Sequence, residues 1–90
     1  MIWAKIFFYT VPGRGTYQLL VTTGTSDDDM PAIQFATNGE LFVEFGISYE
    51  DTDAGWAERD QRFSEMDENI ARPAFDALLG QIDAFRGESR

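Results

Sequence analysis

Carboxylates are the side chains of this chain that could do chemistry, and half of the sixteen fall in one short segment. They could bind a cation, act as an acid and base pair, or attract a basic protein. Histidine and cysteine are both absent, which excludes imidazole and thiolate catalysis and the usual transition-metal sites. The candidate acids of the segment are Glu50, Asp51, Asp53, Glu58, Asp60, Glu65, Asp67 and Glu68, and a second cluster is Asp27, Asp28 and Asp29.

The spacing of these acids does not support a calcium loop. Asp51-x-Asp53-x-Gly55 resembles the start of one. A loop that began at Asp51 would, however, place Trp56 where glycine is required and Arg62 where the bidentate glutamate is required. Three consecutive acids before a proline, as at residues 27–29, are more typical of a polar loop. We therefore predict no metal site.

Catalysis by paired carboxylates requires a cleft in which an acid and a base face one substrate bond. A small sheet covered by one helical layer rarely forms such a cleft. Gly13-Arg14-Gly15 lacks the Lys-Ser/Thr continuation of a phosphate loop and joins two predicted strands, so we interpret it as a turn. We therefore predict that the protein is not an enzyme, has no catalytic residues and needs no cofactor.

The composition is that of one small folded domain spanning residues 1–90, with 43% hydrophobic residues and a net charge of −9. This charge makes nucleic acid and anionic membranes poor partners, because like charges repel, and favours a basic protein instead. The N-terminal residues lack the basic region and cleavage site of a secretory signal. No apolar run reaches the length of a membrane span. We expect a soluble, cytoplasmic protein.

The first half of the chain reads as four strands, because β-branched and aromatic residues dominate between Gly, Pro, Asn and Asp breaks. The strands are predicted over residues 2–11, 16–23, 32–37 and 40–49. Pro12-Gly13-Arg14-Gly15 closes a first hairpin, and Asn38-Gly39, a strong hairpin signal, closes a second.

Alternation along these strands predicts two sheet faces. The core face is expected to hold Ile2, Ala4, Ile6, Phe8, Leu19, Val21, Ile33, Phe35, Leu41, Val43, Phe45 and Ile47. The other face is expected to mix polar and apolar residues, namely Lys5, Gln18, Thr22, Gln34 and Glu44 with Trp3, Phe7, Tyr9, Leu20 and Phe42. Aromatic residues are favoured in protein interfaces. A homodimer through Trp3, Phe7, Tyr9 and Phe42 is therefore one expectation.

The second half of the chain changes to a helical period. Asp51, Thr52 and Asp53 are suitable N-caps, and an apolar stripe predicts a first helix over residues 54–71. A second helix is predicted over 73–86, with a break near Arg72-Pro73 because proline disfavours helix at the preceding residue. Gly87 is a natural stop. Strands followed by helices predict an α+β fold, a four-stranded antiparallel sheet with two C-terminal helices packed on one face.

The negative charge is concentrated rather than spread. Residues 50–68 carry eight acids and two arginines, a net of −6, whereas residues 69–90 are neutral. On an ideal helix, Asp60 and Asp67 form one row of carboxylates and Glu58 and Glu65 another, each rising about 10.5 Å along the axis. An acidic surface of this kind is also typical of a merely solvated helix face.

These features together resemble small phage-encoded anti-defence proteins, and most of all the acidic anti-CRISPR and anti-restriction proteins that imitate DNA. The resemblance lies in length, charge, the absence of Cys and His, the order of strands and helices, and the clustered acids of residues 50–68. It implies an inhibitor in the bacterial host cytoplasm whose carboxylates occupy sites that a nuclease or CRISPR effector subunit offers to phosphates. Glu58, Asp60, Glu65, Asp67 and Glu68 would then be the primary contacts, with Asp27–Asp29 as a second patch.

Two other functions remain open from the sequence. An immunity or antitoxin protein would use the same acids against a basic toxin. A phage structural or assembly protein would instead use the aromatic face of the sheet to form oligomers.

Overall fold

The computed structural model describes residues 4–37 and 43–86, with only the backbone described for Val43 and Arg86. It has the predicted α+β architecture, a four-stranded antiparallel sheet followed by two helices. The elements are β1 (Ala4–Val11), β2 (Gly15–Thr25), β3 (Pro31–Thr37), β4 (Val43–Ser48), α1 (Asp53–Glu65) and α2 (Glu68–Arg86).

Consecutive strands pair in the order β1-β2-β3-β4. The turn between β1 and β2 uses Gly13 and Gly15 at φ 79° and 102°, where a side chain would be strained. The Arg14 amide donates to the Val11 carbonyl at 2.9 Å. The predicted Asn38-Gly39 turn, like Gly87, lies outside the described residues.

The inner face of the sheet forms the core with the helices. Its buried residues are Tyr9, Leu19, Val21, Ile33, Phe35, Phe63, Met66, Ala71, Phe75 and Leu78. The prediction is confirmed for the apolar residues of β2 and β3 and for Phe45, which packs against this core. Ile47 shares the face, as partner of Ile33, but is 48% exposed. Ile2, Leu41 and the side chain of Val43 lie outside the description.

The predicted faces of β1 are reversed. Phe7 is paired with Leu19 and Tyr9 with Tyr17, so the odd-numbered residues of β1 face the core. Tyr9 is 5% exposed, whereas Ile6 and Phe8 are 48% and 62% exposed on the other side of the sheet. Ala4 is exposed with them. Alternation was a poor guide because both sets of β1 side chains are mainly apolar, and the inward set includes a lysine.

Lys5 points inward because its ammonium closes the end of α1. Its Nζ donates to the carbonyl oxygens of Phe63, Ser64 and Met66 at 2.7, 3.2 and 2.9 Å. It also lies 4.9 Å from the centroid of the Phe63 ring. The last carbonyls of a helix have no partner within the helix and carry partial negative charge, so a cation here stabilises them.

Tyr9 forms the second link between β1 and the helices. Its ring stacks on Phe75 with 4.7 Å between centroids, and its hydroxyl donates to the Glu68 carbonyl at 2.5 Å. Burial, reinforced by the negative charge of Glu68, raises the pKa of the Tyr9 hydroxyl above its ordinary value. The hydroxyl therefore stays protonated and acts as a donor.

The start of α1 is determined by a cap and a close approach. Thr52 is the N-cap, and its Oγ1 accepts from the Gly55 amide at 3.0 Å. Gly55 is buried, and a Cβ at this position would lie 1.9 Å from the Glu50 carbonyl oxygen. The path from β4 into α1 therefore leaves no room for a side chain at position 55 unless the backbone shifts.

The predicted break between the helices near Arg72-Pro73 is wrong, since α1 ends at Glu65 and α2 begins at Glu68. Asp67 begins α2 by accepting from the amides of Asn69 and Ile70 at 2.9 and 2.8 Å. Pro73 lies within α2 on its exposed side. The buried stripe of α2 runs through it, because Ala71 and Phe75 both belong to the core.

We expect Gly55→Ala to destabilise the fold by about 1–3 kcal/mol, because the added methyl meets backbone that must shift. Gly80→Ala is the matched control in α2, where a Cβ has nothing within 4 Å. That change should stabilise by up to about 1 kcal/mol, through helix propensity. Urea unfolding of the two variants checks both signs, and equal effects would contradict the close approach.

We expect Lys5→Met to lower the free energy of unfolding by about 2 kcal/mol, because three carbonyls at the end of α1 lose a charged donor. Arg62→Met is the control, since Arg62 is an exposed cation in the same last turn and surface changes usually stay within about 0.5 kcal/mol. Denaturant unfolding measures both, and an unchanged Lys5→Met variant would show that the cap contributes little.

Candidate partner-binding surface

The acids of residues 27–29 occupy the loop that joins β2 to β3. The loop is closed by hydrogen bonds from the Ser26 amide to the Met30 carbonyl at 2.8 Å and from the Asp29 amide to the Ser26 carbonyl at 2.9 Å. Asp29 has φ 62°, a left-handed conformation that Asp tolerates better than most residues. All three side chains are exposed. The loop therefore holds three solvent-exposed carboxylates on a backbone that is fixed by hydrogen bonds.

The acids of residues 50–53 leave the sheet at the same end. Ser48, the last residue of β4, is paired with Ala32 near the start of β3, and the Tyr49 amide donates to the Pro31 carbonyl at 2.7 Å. The structure thus brings together two clusters that the sequence predicts as separate patches. We call this surface the acidic end, and its members are Asp27, Asp28, Asp29, Glu50, Asp51 and Asp53.

Arg59 attaches α1 to the acidic end. Its Nη1 donates to the Gly24 carbonyl at 2.9 Å, next to the end of β2. Its Nε and Nη2 donate to one oxygen of Asp60 at 3.0 and 2.7 Å. The residue is 8% exposed, and its guanidinium lies 4.8 Å from the Trp56 ring centroid. One sequence signal could have indicated this role. Gly55, Arg59 and Phe63 are spaced four residues apart and therefore lie on one face of α1, which is the buried face.

The two carboxylate rows predicted on the first helix have different outcomes. Glu58 and Glu65 both lie on α1 and are exposed, so this row is present. The row of Asp60 and Asp67 is not, because α1 ends before Asp67, whose carboxylate caps α2. Asp53 and Asp60, which both lie on α1, have the same seven-residue spacing, and this corresponds to a rise of about 10.5 Å along the helix axis.

The remaining predicted acids are also exposed, but several already accept hydrogen bonds. Asp51 accepts from the Trp56 indole at 3.0 Å, and Glu65 accepts from the Gln61 amide at 3.5 Å. Glu68 lies in the first turn of α2, where its negative charge is favourable to the helix dipole. No such side-chain contact is found within the described residues for Asp53 and Glu58, or for Glu50 and the three acids of the β2–β3 loop.

The cations of the described residues are mostly held by the fold. Lys5 and Arg59 bind carbonyls, as described above. Arg14 forms an ion pair with Asp83 at 2.8 Å, and this hydrogen bond raises the pKa of Arg14. Arg72 lies 3.4 Å from Asp76 and over the Tyr9 ring. Arg62 is the exposed cation left without an ion pair among these side chains, so the acidic end has few competing cations.

The residues predicted to form a homodimer are not exposed together. Phe7 and Tyr9 lie on the inner face of the sheet, which corrects the prediction, because the register of β1 turns them toward the helices. Trp3 and Phe42 lie outside the described residues. Leu20 is on the outer face, as predicted. The apolar part of that face is formed instead by Leu20 with Ile6 and Phe8.

Two features are absent from residues 4–37 and 43–86. None of the acidic side chains there form a group of three or more that could hold a metal ion. None of the helices in this part of the chain is long and apolar enough to cross a membrane.

The acidic end should destabilise the fold at low ionic strength, because its charges repel one another. We expect Asp28→Asn combined with Glu50→Gln to raise the free energy of unfolding by up to about 1 kcal/mol at low salt. The gain should fall toward zero near 1 M salt, where the Debye length is about 3 Å. Thermal unfolding at several salt concentrations measures it, and a salt-independent change would contradict the repulsion.

Comparison with known proteins found no relative of this chain. No family model matches the chain, and neither the curated proteins nor the solved structures searched gave a match. The acidic end and the acids of α1 are therefore interpreted from their own geometry and charge.

Proposed function

We propose that this protein is an inhibitory binding module that imitates nucleic acid and blocks a basic DNA- or RNA-binding surface of a defence nuclease or CRISPR effector subunit. It would act in the cytoplasm of a bacterial host. The observation that carries the proposal is the convergence of the 27–29 and 50–53 acids at one end of the sheet. Of the described cations, Lys5 and Arg59 are turned into internal contacts, and Arg14 and Arg72 are paired with acids of α2.

The proposal rests on the replacement of one anion by another, because the Lys and Arg side chains of the partner would contact carboxylates instead of phosphates. A nucleic-acid-binding groove is a row of Lys and Arg side chains arranged for phosphates, and carboxylates held on a folded scaffold can occupy the same positions. Phosphates on one strand advance by about 3.4 Å per base pair along the duplex axis. A seven-residue carboxylate spacing on α1 rises by about 10.5 Å, close to three such steps.

The acids differ in how freely they can serve this role. Glu58 and Glu65 form the intact row on α1, and Asp53 extends the acidic end onto the same helix. Asp60 shares its carboxylate with Arg59, which holds it in one orientation. Asp67 caps α2. We therefore place the main contacts on α1 and the acidic end, with Asp67 and Glu68 at the margin.

A second function, as a phage structural or assembly protein, is favoured by a different observation. The outer face of the sheet exposes Ile6, Phe8 and Leu20. An exposed apolar patch of this kind is typical of an interface between protein chains.

The test is affinity capture with the immobilised protein from bacterial cells that carry CRISPR and restriction systems, followed by elution with rising salt. We expect a basic nucleic-acid-binding protein that elutes with salt and no longer binds a labelled DNA or RNA duplex when complexed. Exposed ion pairs contribute about 0.2–1 kcal/mol each. Changing residues 53, 58, 60 and 65 to Asn or Gln should therefore weaken binding by about fourfold or more.

The control compares equal numbers of charges: Asp53→Asn with Glu58→Gln on this surface is set against Asp76→Asn with Asp83→Asn on α2, away from it. Binding that resists salt, or full inhibition by the variant neutralised at residues 53, 58, 60 and 65, would contradict nucleic-acid mimicry. A captured basic toxin whose target is not nucleic acid would instead identify an immunity or antitoxin protein.

A further inference from the structure

The outer face of the sheet is the side that the helices do not cover. The residues described on it have alternating positions on the four strands, opposite to those that form the core. At its centre, Leu20 on β2 is the direct cross-strand partner of both Ile6 on β1 and Ala36 on β3. Phe8 lies two residues beyond Ile6 on β1. These four residues form one contiguous apolar patch across three strands.

The large apolar side chains of the patch are substantially exposed to solvent. Phe8 is 62% exposed, Ile6 48% and Leu20 37%. Exposed apolar area disfavours the monomer by about 25 cal/mol for each square ångström that could be removed from water. The largest exposed apolar patch of a small protein is often a site of contact with another chain. The patch therefore has the character of an interface.

The distribution of charge indicates what occupies this interface. The chain has a net charge of −9. On the outer side of the sheet, the described acids Asp27 and Glu44 line one cavity against β3 and β4, whereas the described outer-face residues of β1 and β2 are all uncharged. The nearest lysine, Lys5, is turned to the inner face. A charged partner would find no complementary group there. A second copy could pack its own uncharged β1–β2 face against this one, with the acidic groups of both copies outside the contact.

A twofold arrangement also keeps Glu44 away from the contact. Neighbouring strands lie about 4.8 Å apart, so β4 is about 10 Å from β2 and further from β1. With the symmetry axis along the β1–β2 hairpin, the two copies of Glu44 lie at opposite margins of the interface, in water. In such an isologous interface the same patch serves both copies.

We propose that two copies of this chain form a dimer by packing the outer faces of their β1–β2 hairpins against each other, with Phe8, Ile6 and Leu20 at the centre. The contact leaves the acidic end and the exposed face of α1 free. The dimer would therefore present two acidic surfaces, whatever those surfaces bind.

Sedimentation equilibrium of the full chain from about 1 μM to about 1 mM tests the proposal. We expect a mass rising from the monomer value of 10.2 kDa to twice that value. Phe8→Glu should weaken dimerisation by more than about tenfold, because each copy would place a carboxylate in the apolar contact. Ala57→Glu is the matched control, since it adds the same charge at an exposed position on α1.

Circular dichroism and cooperative thermal unfolding verify that Phe8→Glu is folded, and Phe8→Thr offers a second variant with high strand propensity and no charge. Phe8→Thr should also weaken the dimer. A wild-type chain that stays monomeric to about 1 mM would overturn the proposal. A folded Phe8→Glu variant that dimerises as the wild type does would overturn it too, since the contact would then lie elsewhere.

Discussion

The contact on which the rest of the structure depends is the ammonium of Lys5 at the end of α1. An ammonium needs several acceptors when it leaves water, and here three carbonyls supply them. This requirement determines which face of β1 meets the helices, and with it the inward positions of Phe7 and Tyr9. It also holds the end of α1 against the edge strand β1, and Asp67 begins the second helix directly after this contact.

Most of the described cations of this acidic chain likewise have carbonyls or carboxylates as partners within the fold. Lys5, Arg14, Arg59 and Arg72 each connect two parts of the backbone or pair with an acid. Most of the carboxylates, by contrast, stay at the surface. Lys5 and Arg59 are thereby withdrawn from the surface, while Arg14, Arg62 and Arg72 stay exposed.

The acidic end and the β1–β2 part of the outer sheet face differ in chemistry. The acidic end and α1 combine exposed carboxylates with a framework of backbone hydrogen bonds, and suit a basic partner. The outer sheet face is nearly free of charge and suits a copy of itself. Repulsion among the acids favours keeping them apart in a dimer, so the uncharged face is where two such chains can meet at least cost.

The sequence alone determined the α+β architecture, the first hairpin and the concentration of acids in residues 50–68, because these depend on local propensity and on counting. Tertiary structure decided three things. The face of β1 depended on where Lys5 finds acceptors, since both faces are apolar. The helix break depended on Asp67 and Lys5 rather than Pro73, which α2 tolerates on its exposed side. The convergence of two acidic clusters depended on strand pairing, which places residues distant in sequence at one end of the sheet.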